Sequence, residues 1–225
     1  MKRVFSFTLF GSQEKYWKGL LVNIDLIHEK FPGWEIWVYI GNDVPDTVLH
    51  TLELKSVTLI ETHETGMVNK FYRFFPIDDL YVETCIIRDA DSRIYERDES
   101  CIRDFMLSDE GAHIIRDHPN HHHKMMAGMW GIKQGVLGIP IRFLFEHWRK
   151  SNGTSNFWDD TDFLVQLIYP RISHYALVHD EHRNYGEEGQ KATFKVGIRD
   201  GLHFVGQVYE YDENGVEFPK FPYSV

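Results

Sequence analysis

Residues 85–94 read "CIIRDADSRI". An apolar run from Cys85 to Ile87 ends on two aspartates one residue apart, Asp89 and Asp91, with Arg88 before the pair and Arg93 after it. Residues i and i+2 of a strand point the same way, so the two carboxylates are expected on one side and Arg88 on the other. Like charges held this close raise each other's pKa unless a cation separates them. The natural cation is a hard divalent ion, Mg2+ or Mn2+, which completes its oxygen shell with water and phosphate oxygens. Arg88 and Arg93 then serve the phosphates or pair with the carboxylates. An Asp-x-Asp also arises by chance in a chain with 34 acids. What raises this one above chance is the strand that runs into it.

Working outward, residues 3–10 alternate Phe5, Phe7 and Leu9 with Val4, Ser6 and Thr8, the period of a first strand, which Gly11 breaks. Residues 13–31 place Leu20, Ile24 and Ile27 on one stripe, a helix ended by Phe31-Pro32-Gly33. "WEIWVYI" (34–40) is a second strand, apolar on both faces, and "GNDVPD" the loop after it. A short helix, "VTLIET" as a third strand and "CIIR" as a fourth follow. This order predicts an α/β sheet with helices on both faces. Ligands of such sheets sit at the carboxyl ends of the strands. Those ends are "LFGS", "GNDV" and "RDADSR", all small or polar.

The second half is less regular. "AHIIRDHPNHHHKMMAGMWGIK" holds a strand, a polar loop and a glycine-rich strand; "RFLFEHWRK" is helical; "DFLVQLIYP" is a short helix expected to stop before Pro170. From about residue 193 the tail reads as a β-hairpin or extended arm, with the Asn-Gly turn signal in "YDENGVEF". No repeat or linker divides the 225 residues, so a single domain is expected. A net charge of −10 argues against a general nucleic-acid binder. Two cysteines, Cys85 and Cys101, make neither a disulfide framework nor a zinc ribbon, and reduced thiols suit an intracellular chain. The N-terminal run is too short and too quickly charged for a signal peptide, and no stretch approaches a membrane span. The histidines at 118 and 121–123 lack metalloprotease spacing and read as a polar loop.

Four segments carry a resemblance: "KFYRFFPIDDLYVETCIIRDADSRI", "IIRDHPNHHHKMMAGMWGIK", "WDDTDFLVQLIYP" and "LVHDEH". Together they resemble the small GT-A-fold glycosyltransferases of bacterial polysaccharide clusters and large DNA viruses, over roughly residues 3–183. The resemblance implies a Rossmann-like mixed sheet flanked by helices, with a donor half (1–95), an acceptor half (96–190) and a C-terminal arm (191–225). It implies Mn2+ or Mg2+ on Asp89 and Asp91, with His179 completing the shell and Asp180 an equal candidate by spacing. It implies a nucleoside diphosphate sugar as donor, UDP-linked foremost, bound by Ser6, Thr8, Phe10, Gly11, Asp43, Arg73 and Arg88. A glycan or other hydroxyl acceptor would meet Gly128, Trp130, Gly131 and His118, with Arg116 near the phosphates. The implied setting is the cytoplasm of a bacterium or of a virus-infected host cell.

Asp160 in "DDTDFL" matches the carboxylate that deprotonates the acceptor in inverting members. Asp159, Asp160 and Asp162 also suit a helix start, where acids answer free N–H groups. Arg73 has a plainer reading as a surface arginine paired with Asp78 or Asp79, and Trp130 as a core residue. Three other readings stay open: a non-catalytic sugar-nucleotide or glycan binder; a haloacid-type phosphatase, whose Asp-x-Asp belongs on the first strand; and a nucleotidyltransferase, which needs a basic glycine-rich loop where this chain has "LFGSQEKYWK".

Overall fold

The structure, a computed structural model, describes residues 1–198 and 202–220. The expected alternation builds β1 (Lys2–Leu9): Phe5, Phe7 and Leu9 turn to one face of the sheet, Val4 to the other. α1 (Glu14–Lys30) lays Leu20, Ile24 and Ile27 on the first face. β2 (Glu35–Ile40), α2 (Asp46–Glu53) and β3 (Thr58–Glu61) follow. The chain then returns through a 3₁₀-helical segment, Gly66–Asp78, to β4 (Val82–Arg88). α3 (Glu96–Leu107) joins α1 and α2, while the 3₁₀ segment covers the opposite face with α4 (Ile141–Asn152) and α5 (Asp159–Phe163). Both faces are covered, so the strand interiors are apolar on both sides.

β5 (Ala112–Arg116), β6 (Met129–Lys133), β7 (Ala176–Asp180) and β8 (Lys191–Ala192) complete an eight-stranded sheet in the order β3-β2-β1-β4-β6-β5-β7-β8. Every pairing is parallel except the two made by β6. The order reverses between β1 and β4, which pair directly with Ser6 opposite Ile87. Their loops leave from the same edge and open a crevice. β6 runs the other way and sets Met129 opposite Arg88, so the loop before it reaches that same edge.

One local expectation changes, at Pro170, while the tail keeps its expected hairpin. Pro170 does not end a helix. After α5 the chain takes a π-helical turn, Leu164–Ile168, and Pro170 sits in the first turn of α6 (Tyr169–Ile172). The Tyr169 N–H donates to the Leu164 carbonyl across the wider π turn, and Pro170, which has no N–H to place, follows it. The tail forms a short hairpin of β9 (Tyr209–Tyr211) and β10 (Glu217–Pro219), with Gly215 at φ +76° in its turn. Parts of the expected arm, 199–201 and 221–225, lie outside the described residues. Among the described residues no helix is long and apolar enough to cross a membrane.

Candidate active site

A cleft of about 680 Å³ opens at the carboxyl ends of β1 and β4. Thr8, Phe10, Gly11, Arg73, Asp89, Asp91, His118, Gly128 and Asp160 all line it. Residues from five separate stretches of the sequence therefore share one cavity. The aspartate pair lies past the end of β4 in a turn, where the Ser92 N–H and Oγ donate to the Asp89 carbonyl at 3.4 and 3.0 Å. That turn, not strand alternation, brings both carboxylates to the cleft.

The cation between the carboxylates comes from elsewhere. Arg73 donates one guanidinium nitrogen to Asp89 Oδ1 and the other to Asp160 Oδ2, at 2.8 Å to the latter. Lys70 Nζ stands 3.0 Å from Asp160 Oδ1. In a 3₁₀ helix residues three apart eclipse. Met67, Lys70 and Arg73 accordingly line the cleft together, while Val68, Phe71 and Phe74 face the core. Burial works against the Arg73 charge, but Asp89 and then Asp160 outweigh it and hold the guanidinium protonated. The surface pairing with Asp78 or Asp79 is not formed: Arg73 is 3% exposed. Lys15, in the first turn of α1, reaches Asp91 Oδ2 at 3.0 Å. Burial, and then Asp89, push the Asp91 carboxyl above its ordinary range; Lys15 offsets only part of this.

Asp160 is 2% exposed. Its Oδ1 accepts from the Thr161 N–H at 2.9 Å and forms an ion pair with Lys70 Nζ at 3.0 Å. Each carboxylate oxygen offers two lone pairs, so Oδ2, which among the described residues accepts from Arg73 alone, keeps one for a further proton donor. Asp159 caps no N–H of α5; its Oδ2 accepts from the Asn156 N–H at 2.8 Å and fixes the loop before the helix.

The two aspartates suit a hard divalent ion. A Cβ built on Gly128 would fall 1.9 Å from Asp89 Oδ2, so glycine leaves the space that the carboxylate occupies. The two donors are carboxylate oxygens, and Asp91 carries an unrelieved penalty that a cation would remove. Among the described residues no three His, Cys, Asp or Glu side chains converge, so the protein itself would leave most of the ion's oxygen shell open.

Other expected residues sit elsewhere. His179 is fully buried, with Nδ1 3.0 Å from His113 Nε2 and Nε2 3.6 Å from Asp104; β7 turns it into the packing beneath α3, away from the aspartate pair. Burial lowers its pKa and keeps it neutral. Arg88 lies under the sheet in a two-pronged pair with Asp98 of α3, at 2.8 and 2.6 Å. Arg93 pairs with Glu217 of β10, and Arg116 ties β5 to Asp180 and Glu187. Trp130 is a core residue against Phe74, and Gly131 lets Ile86 approach on the opposite face. Ser6 is buried within β1. Asp43 accepts from the Gly66 N–H at 3.0 Å and fixes the loop after β2 without lining the cleft.

The cleft also holds residues the sequence did not single out. Lys70 stands three residues before Arg73, the spacing that shares a face in a 3₁₀ helix but not squarely in an α-helix. Phe157 and Trp158 stand at the cleft 58% and 46% exposed, just before α5. The far wall is the C-terminal segment, with Phe204, Gly206, Gln207, Val208 and Lys220. Its Tyr209 N–H donates to the Asp91 carbonyl at 2.8 Å.

No protein-family model matches the chain, and no curated protein matches it by sequence. Solved structures do resemble it. S. aureus TarS 1–349 superposes with a TM-score of 0.53 at 13% identity, over 80% of this chain and 58% of that one. The glycosyltransferase GlyE of Streptococcus pneumoniae TIGR4 gives 0.50 at 13%, over 80% and 46%. The 4-diphosphocytidyl-2C-methyl-D-erythritol synthase of Anaerococcus prevotii DSM 20548 gives 0.51 at 13%, over 86% and 90%. At such identities the likeness is one of fold: the chain has the GT-A-like, Rossmann-like α/β architecture, an eight-stranded and mostly parallel sheet flanked by helices.

Proposed function

We propose that the cleft transfers a glycosyl group from a nucleoside diphosphate sugar to an acceptor hydroxyl, with inversion. The observation that carries this reading is the Asp89–Arg73–Asp160 chain, which sets a metal-type carboxylate and a base-type carboxylate on opposite sides of one guanidinium. Asp89 and Asp91 are the residues that would hold Mn2+ or Mg2+, which when bound would supply positive charge for a diphosphate leaving group. The chain's own groups do the rest. The acceptor oxygen forms its bond to the anomeric carbon as the carbon–diphosphate bond breaks, and the acceptor proton passes to Asp160 Oδ2. Arg73 stands where it can follow the charge: an arriving diphosphate competes for the guanidinium and loosens its hold on Asp160. Thr8, Phe10 and Gly11, at the end of β1, face the donor.

The test is metal-dependent cleavage of UDP-, GDP- and TDP-sugars with release of the nucleoside diphosphate. Asp160→Asn is expected to cut transfer by about 10²-fold or more, the scale of a lost general base. A full transfer rate in a folded Asp160→Asn variant refutes the base role. Pyrophosphate release from a nucleoside triphosphate and a sugar phosphate would instead identify nucleotidyl transfer, and a phosphoaspartyl enzyme a phosphatase.

A further inference from the structure

The two most exposed aromatic side chains of the cleft are not loose. Lys70 Nζ stands 4.5 Å from the Phe157 ring centroid, donates to the Phe157 carbonyl, and pairs with Asp160 Oδ1 at 3.0 Å. One ammonium therefore fixes Phe157 relative to the carboxylate that accepts the proton. Trp158 packs edge-on against Phe157, with centroids 4.9 Å apart and planes at 90°, and its other neighbour is His123 at 5.1 Å. Held by these two ring contacts, Trp158 still leaves 46% of its surface to solvent. Exposed aromatic area of this size, fixed beside a reactive carboxylate, is a binding surface kept ready for a ligand.

We propose that Phe157 and Trp158 form the subsite for a pyranose ring of the acceptor, so that the acceptor is a carbohydrate. The inference rests on the glycosyl-transfer reading and adds the acceptor class to it. A pyranose has an apolar C–H face that matches an aromatic plane and a rim of hydroxyls that needs both donors and acceptors. The cleft supplies that rim. Asn120 and His118 line it, and His118 Nδ1 already accepts from the Asn120 N–H at 3.1 Å, which leaves Nε2 as the protonated, donating nitrogen. Phe157, against which Trp158 packs, is tied through Lys70 to Asp160, the carboxylate that Arg73 holds with its second nitrogen, not to Asp89. A sugar stacked there meets the base, not the diphosphate.

The experiment offers wild type, Trp158→Ala and Trp158→Phe three kinds of acceptor: methyl glycosides of glucose, galactose and mannose, a Ser/Thr peptide, and citronellyl phosphate. Transfer is followed with whichever nucleotide sugar is cleaved, and glycoside binding is read separately by saturation-transfer NMR. Wild type is expected to glycosylate a methyl glycoside. Trp158→Ala should raise the glycoside KM about tenfold and weaken its NMR signal, while Trp158→Phe, which keeps a ring, restores KM to within about threefold. Transfer only to the peptide or to citronellyl phosphate overturns the proposal, as does an unchanged glycoside KM in Trp158→Ala. If wild type releases no nucleoside diphosphate from any donor, the glycosyl-transfer reading falls too, so the two failures are told apart.

Discussion

Lys15 occupies one oxygen of Asp91, so metal and lysine compete for the same carboxylate. The Nζ–Oδ2 distance is 3.0 Å, and the two side chains are 24% and 10% exposed. At an effective dielectric near 20, the gross attraction over 3 Å is about 5 kcal/mol. Desolvation and ordering offset most of this, leaving a net contribution of about 1 kcal/mol for a partly exposed pair. A divalent ion that binds both aspartates must give that energy back. Lys15→Gln removes the competitor and should tighten Mn2+ binding about fivefold, the equivalent of ~1 kcal/mol. The sign with pH follows from Asp91. Burial and Asp89 already raise its pKa, and losing Lys15 raises it further, so the tightening is present at high pH and fades as pH falls and the carboxyl takes up a proton. Free Mn2+ measured by electron paramagnetic resonance at pH 8, with Asp91→Asn as the non-binding control, reads this directly. Equal or weaker Mn2+ affinity in Lys15→Gln at that pH would show that Lys15 is no rival to the metal, and the charge-balance argument would fall.

Two further outcomes are expected. Gly128→Ala puts a methyl 1.9 Å from Asp89 Oδ2 and must push that carboxylate aside; Mn2+ affinity should drop at least about tenfold while the far-ultraviolet circular dichroism stays that of the wild type. An affinity within twofold of wild type would show that Asp89 does not need the space beside Gly128. His121, buried with its Nδ1 accepting from the Asp117 N–H at 3.0 Å, has its pKa lowered from 6.5 to about 3, by burial first and by His118 next. Its folded pKa lies below the unfolded one, so its contribution is complete above pH 6.5 and is lost as pH falls toward about 3. Thermal melts at pH 7.5, 6 and 5 should show a falling Tm that is shallower in His121→Gln; identical slopes would exclude His121 as a contributor.

The sheet was legible because its signals are local. Alternation along 3–10, the stripe of α1 and the apolar second strand each follow from side-chain period, and the Asp-x-Asp marks the end of β4. Asp89 and Asp91 could be picked out because a carboxylate pair at a strand end is a short-range pattern; Asp160 stood out from Asp159 and Asp162 only through the family resemblance. Which basic residues meet them could not. Arg88 and Arg93 are nearest in sequence, yet both are taken by acids on other elements, Asp98 of α3 and Glu217 of β10. The cations that reach the carboxylates are Lys15, Lys70 and Arg73, delivered by the start of α1 and by a helix with three residues per turn instead of 3.6.

The aromatics divide the same way. Trp130 and Trp158 are indistinguishable as letters; one is sealed in the core against Phe74 and the other is held at the cleft by Phe157 and His123. His179, too, follows a short apolar run as expected, but β7 turns its ring inward to His113. Sequence by itself determined the strand–helix order, the α/β class and the acidic chemistry at the strand ends, since these depend on neighbours a few residues apart. Tertiary structure alone decided the partners, because a side chain's charge balance and exposure are set by whatever distant segment the fold packs against it.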